Sequence, residues 1–277
     1  MANLDFNSAL DIAIMAAIRG GRIINQFWGE LNSTQIFEKS SWRDIVTIAD
    51  KESERVVLET IKSAFPSHFI ISEEGGGVNA EHKNNNLLPA EQEWAWAIDP
   101  LDGTTNFRHS YPFFCVSIGL LNYGKPVLGV VFNPIQNELF TAIKGFGAFL
   151  NGRRLKVSKV NTLRESLLVT GFAYSANRTQ ERSMQLFHKL NFLTHGVRRD
   201  GSAALDLCFV AAGRIEAFWE YGLNIWDVAA GSLIVEEAGG NACELTNTEK
   251  EIDLFAGEIL ATNNLIKTEL LTQIKGK

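Results

Sequence analysis

Cysteine is scarce in this chain: Cys115, Cys208 and Cys243 are its three, and they lie far apart. An odd number at wide spacing excludes a disulfide framework and a Cys-rich zinc site, and points to reduced core thiols in a cytoplasm-like compartment. Long apolar runs are missing too. None approaches the roughly 18 residues of a membrane span. The first residues lack the charge–apolar–small order of a signal peptide, so a cytoplasmic, membrane-free protein is expected. There is no excess of positive charge: 26 Lys and Arg against 32 Asp and Glu leave a net charge of −6. That weighs against nucleic acid as the main partner. No G-x-S-x-G elbow supports a serine nucleophile. No G-x-G-x-x-G stands in a βαβ unit to bind a nucleotide. What is present is 45% hydrophobic residue content over 277 residues. A chain of that size can bury roughly three quarters of its unfolded surface.

The chain is organised around Asp99-Pro100-Leu101-Asp102-Gly103-Thr104-Thr105-Asn106-Phe107. The apolar run Trp94–Ile98 before it reads as a buried strand. Two carboxylates emerge where that strand is expected to end. Pro100 between them has no N–H for a ladder and fixes its own φ, so the chain is expected to turn there and aim Asp99 and Asp102 at one spot. Gly103 permits close backbone approach. Thr104 and Thr105 resemble the cap and first turn of a short helix, whose free N–H groups attract anions. Acidic side chains beside an anion cradle are balanced by a hard divalent cation with a phosphate. The same residues also suit an ordinary capped loop.

Along the chain, Asp5–Trp28 reads as an amphipathic helix, with Leu10, Ala13, Ala17, Ile24 and Phe27 near helical spacing. A helix is expected from about Lys51 to Phe65, with Asp50 as a candidate N-cap. Phe69–Ile71 reads as a strand that delivers Ser72-Glu73-Glu74 at its end, where open α/β sheets place ligands. Gly75–Glu93 reads as a mobile loop. Cys115–Leu121, Val127–Phe132 and Glu138–Ile143 read as a meander. A second lobe begins at Leu167–Thr170, with helices expected at Arg178–Leu190 and from Gly201 to about Ala212. Gly201, Ser202 and Ala203 leave room for a ligand or for tight helix packing. Arg198 and Arg199 suit phosphate or interface contacts, or plain surface charge. Ala217–Tyr221 is a strand. Trp226–Ala238 is a helix stopped by Gly239 and Gly240, with Asp227 in its first turn as at least a dipole partner. Glu258–Thr262 is a last strand, followed by a C-terminal helix. The candidate ligands Asp50, Glu73, Asp99, Asp102, Thr104 and Asp227 are all oxygen donors, which favours Mg²⁺ or Mn²⁺ over zinc.

The string at Asp99–Phe107 resembles the first signature of the inositol monophosphatase family, D-P-[LI]-D-G-T-x-N-F. Trp226-Asp227 through Gly240 resembles its second signature. Lys39, Asp44, Val46, Thr47 and Asp50 match K-x(4)-D-x-V-T-x-x-D. Ser72-Glu73-Glu74 matches G-E-E with Ser for Gly, and Gly145–Gly152 resembles the family hairpin G-x-G-A-x-x-N-G. The resemblance covers nearly the whole chain. It implies a layered α/β fold, an αβαβα sandwich. It also implies a single domain over 1–277, with lobes at about 1–155 and 156–277. It implies Mg²⁺-dependent, lithium-sensitive hydrolysis of a phosphate monoester, with inositol 1-phosphate first, by a homodimer. Two or three Mg²⁺ ions would be held by Glu73, Asp99, the Leu101 carbonyl, Asp102 and Asp227. Glu73, Thr104 and Asp50 would be catalytic. Asp102, Gly103, Thr104, Ala203, Glu220 and Lys39 would bind substrate. Thr105-Asn106-Phe107 favours the inositol phosphatase branch. Fructose 1,6-bisphosphatase and histidinol-phosphatase activities are the neighbouring alternatives. So is a non-enzymatic RNA or transcription accessory role, which some bacterial members perform.

Overall fold

The computed structural model of the chain describes residues 4–75, 92–172, 178–249 and 252–275 and leaves out the side chains of Ser40, Arg178 and Thr179. The loop expected over Gly75–Glu93 falls mainly on residues 76–91, outside the described residues.

Helix α1 (Phe6–Phe27) begins where Asp5 accepts the Asn7 N–H, and it buries Ala9, Ala13, Ala17, Gly20 and Ile24 along one face. That face packs on α2 (Ile48–Ala64) very closely: a Cβ on Gly20 would lie 2.8 Å from Ser53 Oγ and 2.9 Å from Val57 Cγ2. Between the two helices, β1 (Ile36–Ser41) and β2 (Asp44–Thr47) form an antiparallel hairpin with Trp42 and Arg43 at its turn. Helix α2 starts three residues before its expected position. Thr47, not Asp50, is its N-cap, and Asp50 sits three residues in as the other half of a capping box. A Thr at the cap with an acid three residues later satisfies the first free N–H groups reciprocally.

Strand β3 (Phe69–Ser72) pairs in parallel with β4 (Trp94–Asp102). Strand β4 does not stop at Pro100 as expected. It continues to Asp102 through an irregularity, with Asp99 opposite Ser117 and Asp102 opposite Cys115. A bulge absorbs the proline, which has no N–H to offer the ladder, without a full turn. The short α3 (Thr104–Arg108) follows, and β5 (Cys115–Asn122), β6 (Lys125–Asn133), β7 (Glu138–Ile143), β8 (Gly147–Leu150) and β9 (Arg153–Arg154) complete a seven-stranded sheet in sequence order.

The second sheet has five strands, built from β10 (Leu167–Thr170), β11 (Gly196–Arg198), β12 (Ala217–Tyr221), β13 (Asn241–Cys243) and β14 (Glu258–Thr262) in the order β11-β10-β12-β14-β13. Helix α4 (Arg178–Asn191) joins β10 to β11, α5 (Ala203–Ala211) and α6 (Ile225–Glu237) lie between the sheets, and α7 (Lys267–Lys275) ends the described chain. The layers run α1/α2, seven-stranded sheet, α5/α6, five-stranded sheet, α4/α7. Helix α6 buries Ile225, Trp226 and all of Val228–Val235, because a helix between two sheets has no solvent face. This is the α/β layered architecture.

Two glycines set the depth of α6. Cβ atoms on Gly119 and Gly129 would lie 2.8 Å from Ala229 Cβ and 2.7 Å from the Ala230 carbonyl. The helix therefore rests on the backbone of β5 and β6, and Ser117 Oγ donates to the Trp226 carbonyl at 3.3 Å. That seat brings the first turn of α6 over the bulged end of β4.

Candidate active site

Ten of the eleven residues singled out from sequence line one cavity of about 310 Å³: Lys39, Glu73, Asp99, Leu101, Asp102, Gly103, Thr104, Ala203, Glu220 and Asp227. Asp50, the eleventh, is fully buried behind Thr104. The β4 bulge supplies the centre. Asp99 Oδ1 accepts the Leu101 N–H at 2.9 Å, which closes a tight Asx turn around Pro100. Gly103 follows with φ +98°, and a Cβ there would lie 2.9 Å from the Phe113 carbonyl. Only glycine suits that backbone and that space. Behind α3, Phe107 and Phe114 meet edge to face at 5.2 Å, and Trp28 packs on both. Burying each Phe contributes on the order of 2 kcal/mol, which anchors the loop.

Asp102 is held from the opposite wall. Its Oδ2 accepts the Ser202 hydroxyl and the Ala204 N–H, both at 2.7 Å. Ser202 is the N-cap residue of α5, yet its hydroxyl bonds Asp102 rather than its own helix. The start of α5 is thus turned on a carboxylate, as its dipole favours. Ala203, in the same turn, presents only a methyl to the cavity. Asp227 lies three residues into α6, where its Oδ2 accepts the Asn224 N–H at 2.7 Å. It completes a capping box and lines the cavity, so the dipole-partner reading and the cavity reading both hold geometrically.

Glu73 and Glu74 lie past the end of β3, where strict strand alternation no longer applies. Lys39, reaching from β1, bonds both, at 2.8 Å to Glu73 Oε1 and 2.6 Å to Glu74 Oε1. Burial alone would lower the Lys39 ammonium, but the two carboxylates outweigh it and hold it well above its usual range. Glu74 is pushed up to about 7 by burial, with the Glu73 charge adding to it. Burial pushes Asp99 and Asp227 well above the carboxylate range. Glu73, Asp102 and Asp227 add to it at Asp99, and Asp102 and Glu73 at Asp227. Asp102 rises only to about 6, because the Ser202 and Ala204 bonds favour its charged form against burial.

This crowding of negative charge is what a hard cation relieves, and carboxylates plus the Leu101 carbonyl are the oxygen donors such a cation takes. Among the described residues, no three His, Cys, Asp or Glu side chains stand close enough to hold an ion as placed. The Lys39 ammonium holds Glu73 instead. The donor chemistry fits Mg²⁺, and holding an ion requires the side chains to close on it.

Thr104 Oγ1 lies 2.8 Å from Asp50 Oδ1 and 3.1 Å from the Leu101 carbonyl. The other Asp50 oxygen accepts the Thr47 N–H at 2.8 Å and the Thr47 hydroxyl at 2.6 Å. Burial, partly offset by the Thr47 bond and reinforced by Glu73, raises Asp50 to about 6. Glu220, on β12, is pushed up to about 8 by burial, against the pull of the Arg199 charge.

Two participants stand outside the residues singled out from sequence: Glu74 shares Lys39, and Ser202 orients Asp102. Of the arginine pair read as phosphate contacts, interface contacts or surface charge, Arg199 lines the cavity. The Glu pair and the Ser at a helix start were visible. Their partners lie 35 and 100 residues away, so spacing could not pair them.

The inositol monophosphatase family profile matches residues 5–276. The inositol-1-monophosphatase of Synechocystis is 47% identical over 266 residues, covering 96% of this chain and 88% of that one. The Nus factor SuhB of Pseudomonas aeruginosa is 41% identical over 268 residues, 96% of this chain and 95% of its own. The structure of an inositol monophosphatase from Anabaena superposes with a TM-score of 0.81 at 43% identity, covering 99% of this chain and 97% of that one. Given a profile match over almost its whole length and the carboxylate cavity between its two sheets, the chain belongs to the inositol monophosphatase family, a family of phosphatases.

Proposed function

We propose that the protein is a Mg²⁺-dependent phosphate monoesterase whose foremost substrate is inositol 1-phosphate. The observation that carries this reading is the meeting of Glu73, Asp99, the Leu101 backbone, Asp102 and Asp227 on one cavity beside the Gly103–Thr104 helix start. Those five would hold Mg²⁺, two or three ions in this reading, which supplies Lewis acidity and neutralises phosphate charge. The first N–H groups of α3, at Gly103 and Thr104, hold the phosphate. Thr104 gives its single proton to the nearer, charged acceptor Asp50, so its lone pairs are free to accept from the attacking water. Glu73 takes up the proton that water loses. Lys39 tethers Glu73 and adds positive charge. Glu220 accepts the hydroxyls of the alcohol, and Ala203 leaves room for its ring.

By the same reading the protein is a cytoplasmic homodimer inhibited by Li⁺. Light scattering at micromolar concentration checks the dimer, and a Li⁺ titration checks the inhibition. Fructose 1,6-bisphosphate and histidinol phosphate are the neighbouring substrates. A second reading, a transcription accessory role, draws on the 41% identity to a SuhB named as a Nus factor. The net charge of −6 weighs against its RNA-binding form. Phosphate release with and without Mg²⁺ separates the two. The panel is inositol 1-phosphate, fructose 1,6-bisphosphate, histidinol phosphate and adenosine 3′,5′-bisphosphate. Release in excess chelator would refute the metal-dependent reading. No release from any compound would favour the accessory role.

A further inference from the structure

The bulge of β4 is held from behind as well as from the cavity side. Its register against β5 breaks between Asp99 and Asp102, so Pro100 and Leu101 have no paired position there. The peptide unit they share is nonetheless fixed at both ends by side chains. Its N–H, from Leu101, goes to Asp99 Oδ1 at 2.9 Å. Its carbonyl, from Pro100, accepts the Ser53 hydroxyl at 2.8 Å. Ser53 is fully buried on α2, and it lies one turn after Asp50, whose carboxylate takes the Thr104 hydroxyl. One face of α2 thus grips the bulge at two points, Pro100 and Thr104. Serine is a poorer residue than alanine for a helix interior, and there it commonly bonds a carbonyl of its own helix. Thr60 and Ser63 of α2 do so, to the carbonyls of Val56 and Glu59. Ser53 reaches across to Pro100 instead. Helix α1 leaves the room for it, because a Cβ on Gly20 would lie 2.8 Å from Ser53 Oγ.

We propose that Ser53 is a positioning residue for the metal-binding bulge. It holds the Pro100–Leu101 peptide plane, and through that plane it sets where Asp99 and the Leu101 carbonyl point. The inference rests on the metal-dependent reading of the cavity and adds a residue which that reading does not use. Ser53 is not among the residues that line the cavity, so it acts through these two donors. As Asp99 turns a lone pair toward a cation, its hold on the Leu101 N–H weakens, and the Ser53 bond then keeps the plane from rotating. Mg²⁺ demands near-ideal octahedral geometry, whereas Ca²⁺ accepts more ligands in flexible arrangements. A fixed plane therefore favours Mg²⁺ over Ca²⁺, and a loosened plane gives up that preference.

The test measures binding of the metal alone to the full-length, metal-free protein. Mn²⁺ is titrated and its free fraction read by electron paramagnetic resonance, and Mg²⁺ and Ca²⁺ are then added as competitors. Ser53→Ala is expected to weaken Mn²⁺ and Mg²⁺ binding about tenfold or more, the usual effect of losing an outer partner of a metal site. Ca²⁺ binding is expected to weaken by less than about threefold, because its coordination tolerates a looser loop. Melting temperatures in chelator are recorded for each variant. If Ser53→Ala does not fold, Ser53→Cys carries the same expectation, since a thiol fills the space but donates only weakly. Equal losses for Mg²⁺ and Ca²⁺ overturn the inference, because a general loosening of the fold weakens both ions alike. Unchanged affinities in the variant overturn it too, and so does unfolding of both variants, which would make Ser53 a residue of the core. If the wild type itself binds no Mn²⁺ and no Mg²⁺, the metal-dependent reading fails and the inference falls with it. Wild-type binding with an unaltered preference in the variant sinks the inference alone.

Discussion

Thr104 Oγ1 donates to Asp50 Oδ1 at 2.8 Å across 54 residues of chain. The same carboxylate closes the capping box of α2 through its other oxygen. Asp50 therefore does two jobs at once, one for the helix and one for the cavity.

The Asp50→Asn variant separates those jobs. An amide has one accepting oxygen, so it can serve Thr47 or Thr104, and its NH₂ group faces a donor at the other. If Asp50 serves only the capping box, activity is nearly unchanged, because the single accepting oxygen of Asn can still take the Thr47 N–H. If Asp50 directs the Thr104 proton, kcat falls on the order of 10²-fold with little change in KM. Thr104→Ala is expected to cost a similar factor, and the double variant little more than either single one. Melting temperatures recorded alongside exclude unfolding. A fully active Asp50→Asn enzyme, or cleanly additive losses, would restore the capping explanation.

Ser202→Ala tests the orientation of Asp102. The Ser202 hydroxyl makes no bond to its own helix, so its loss removes no cap. It removes one of the two 2.7 Å bonds that fix Asp102 Oδ2. Losing such an outer partner typically weakens metal affinity about 10-fold or more. The Mg²⁺ concentration for half-maximal activity is expected to rise by that factor at an unchanged melting temperature. An unchanged Mg²⁺ requirement would show that Ala204 alone is sufficient.

Without metal, the fold is expected to weaken as pH rises. Folding raises Asp50 and Asp102 to about 6, Glu74 to about 7 and Glu220 to about 8, from ordinary values of 3.8 and 4.5. Groups raised on folding take up protons as the chain folds. Their contribution is complete below the unfolded values and is lost as pH climbs through the folded ones. In chelator, the melting temperature is expected to fall between about pH 5 and pH 8. Added Mg²⁺ stabilises most at the upper end, where fewer protons must be displaced. A melting temperature that climbs over this window in chelator would contradict the crowded-carboxylate picture.

The long amphipathic helix, the meander and the carboxylates of the central motif were legible because periodicity and turn chemistry are local. Glu138–Ile143 was placed to the residue. Local rules failed where long-range contacts overrode them. Pro100 read as a turn, but the ladder to β5 resumes at Asp102, so the strand bulges and continues. Asp50 read as a cap, but Thr47 competes for that position and wins with its own hydroxyl. The sequence also located Arg198 and Arg199 without telling which one faces the cavity. Only the placement of β11 beside β10 decides that it is Arg199.

Glu220 is the residue on which specificity is expected to turn. It lines the cavity from β12, and its carboxyl is close against Gly171, where a Cβ would lie 2.0 Å from Glu220 Oε2. On the proposed reading, a carboxyl at this wall bonds hydroxyls of the alcohol, while Thr104, Asp50 and Glu73 would handle the water. Glu220→Gln keeps the shape and changes the bonding. It is expected to lower kcat/KM for inositol 1-phosphate about tenfold, on the order of one hydrogen bond. Hydrolysis of p-nitrophenyl phosphate, which has no hydroxyls to read, is expected to change less than about twofold by the same reasoning. Gly171→Ala checks this without altering the carboxyl. Gly171 has no left-handed backbone, and the nearest atoms its added methyl meets are the movable end of Glu220. The fold should therefore tolerate it, while the displaced carboxyl loses its hydroxyl contacts. Both variants should shift the ratio of the two substrates in the same direction. Equal losses on both substrates in Glu220→Gln would place Glu220 in the chemistry. An unchanged ratio in both variants would remove it from substrate recognition.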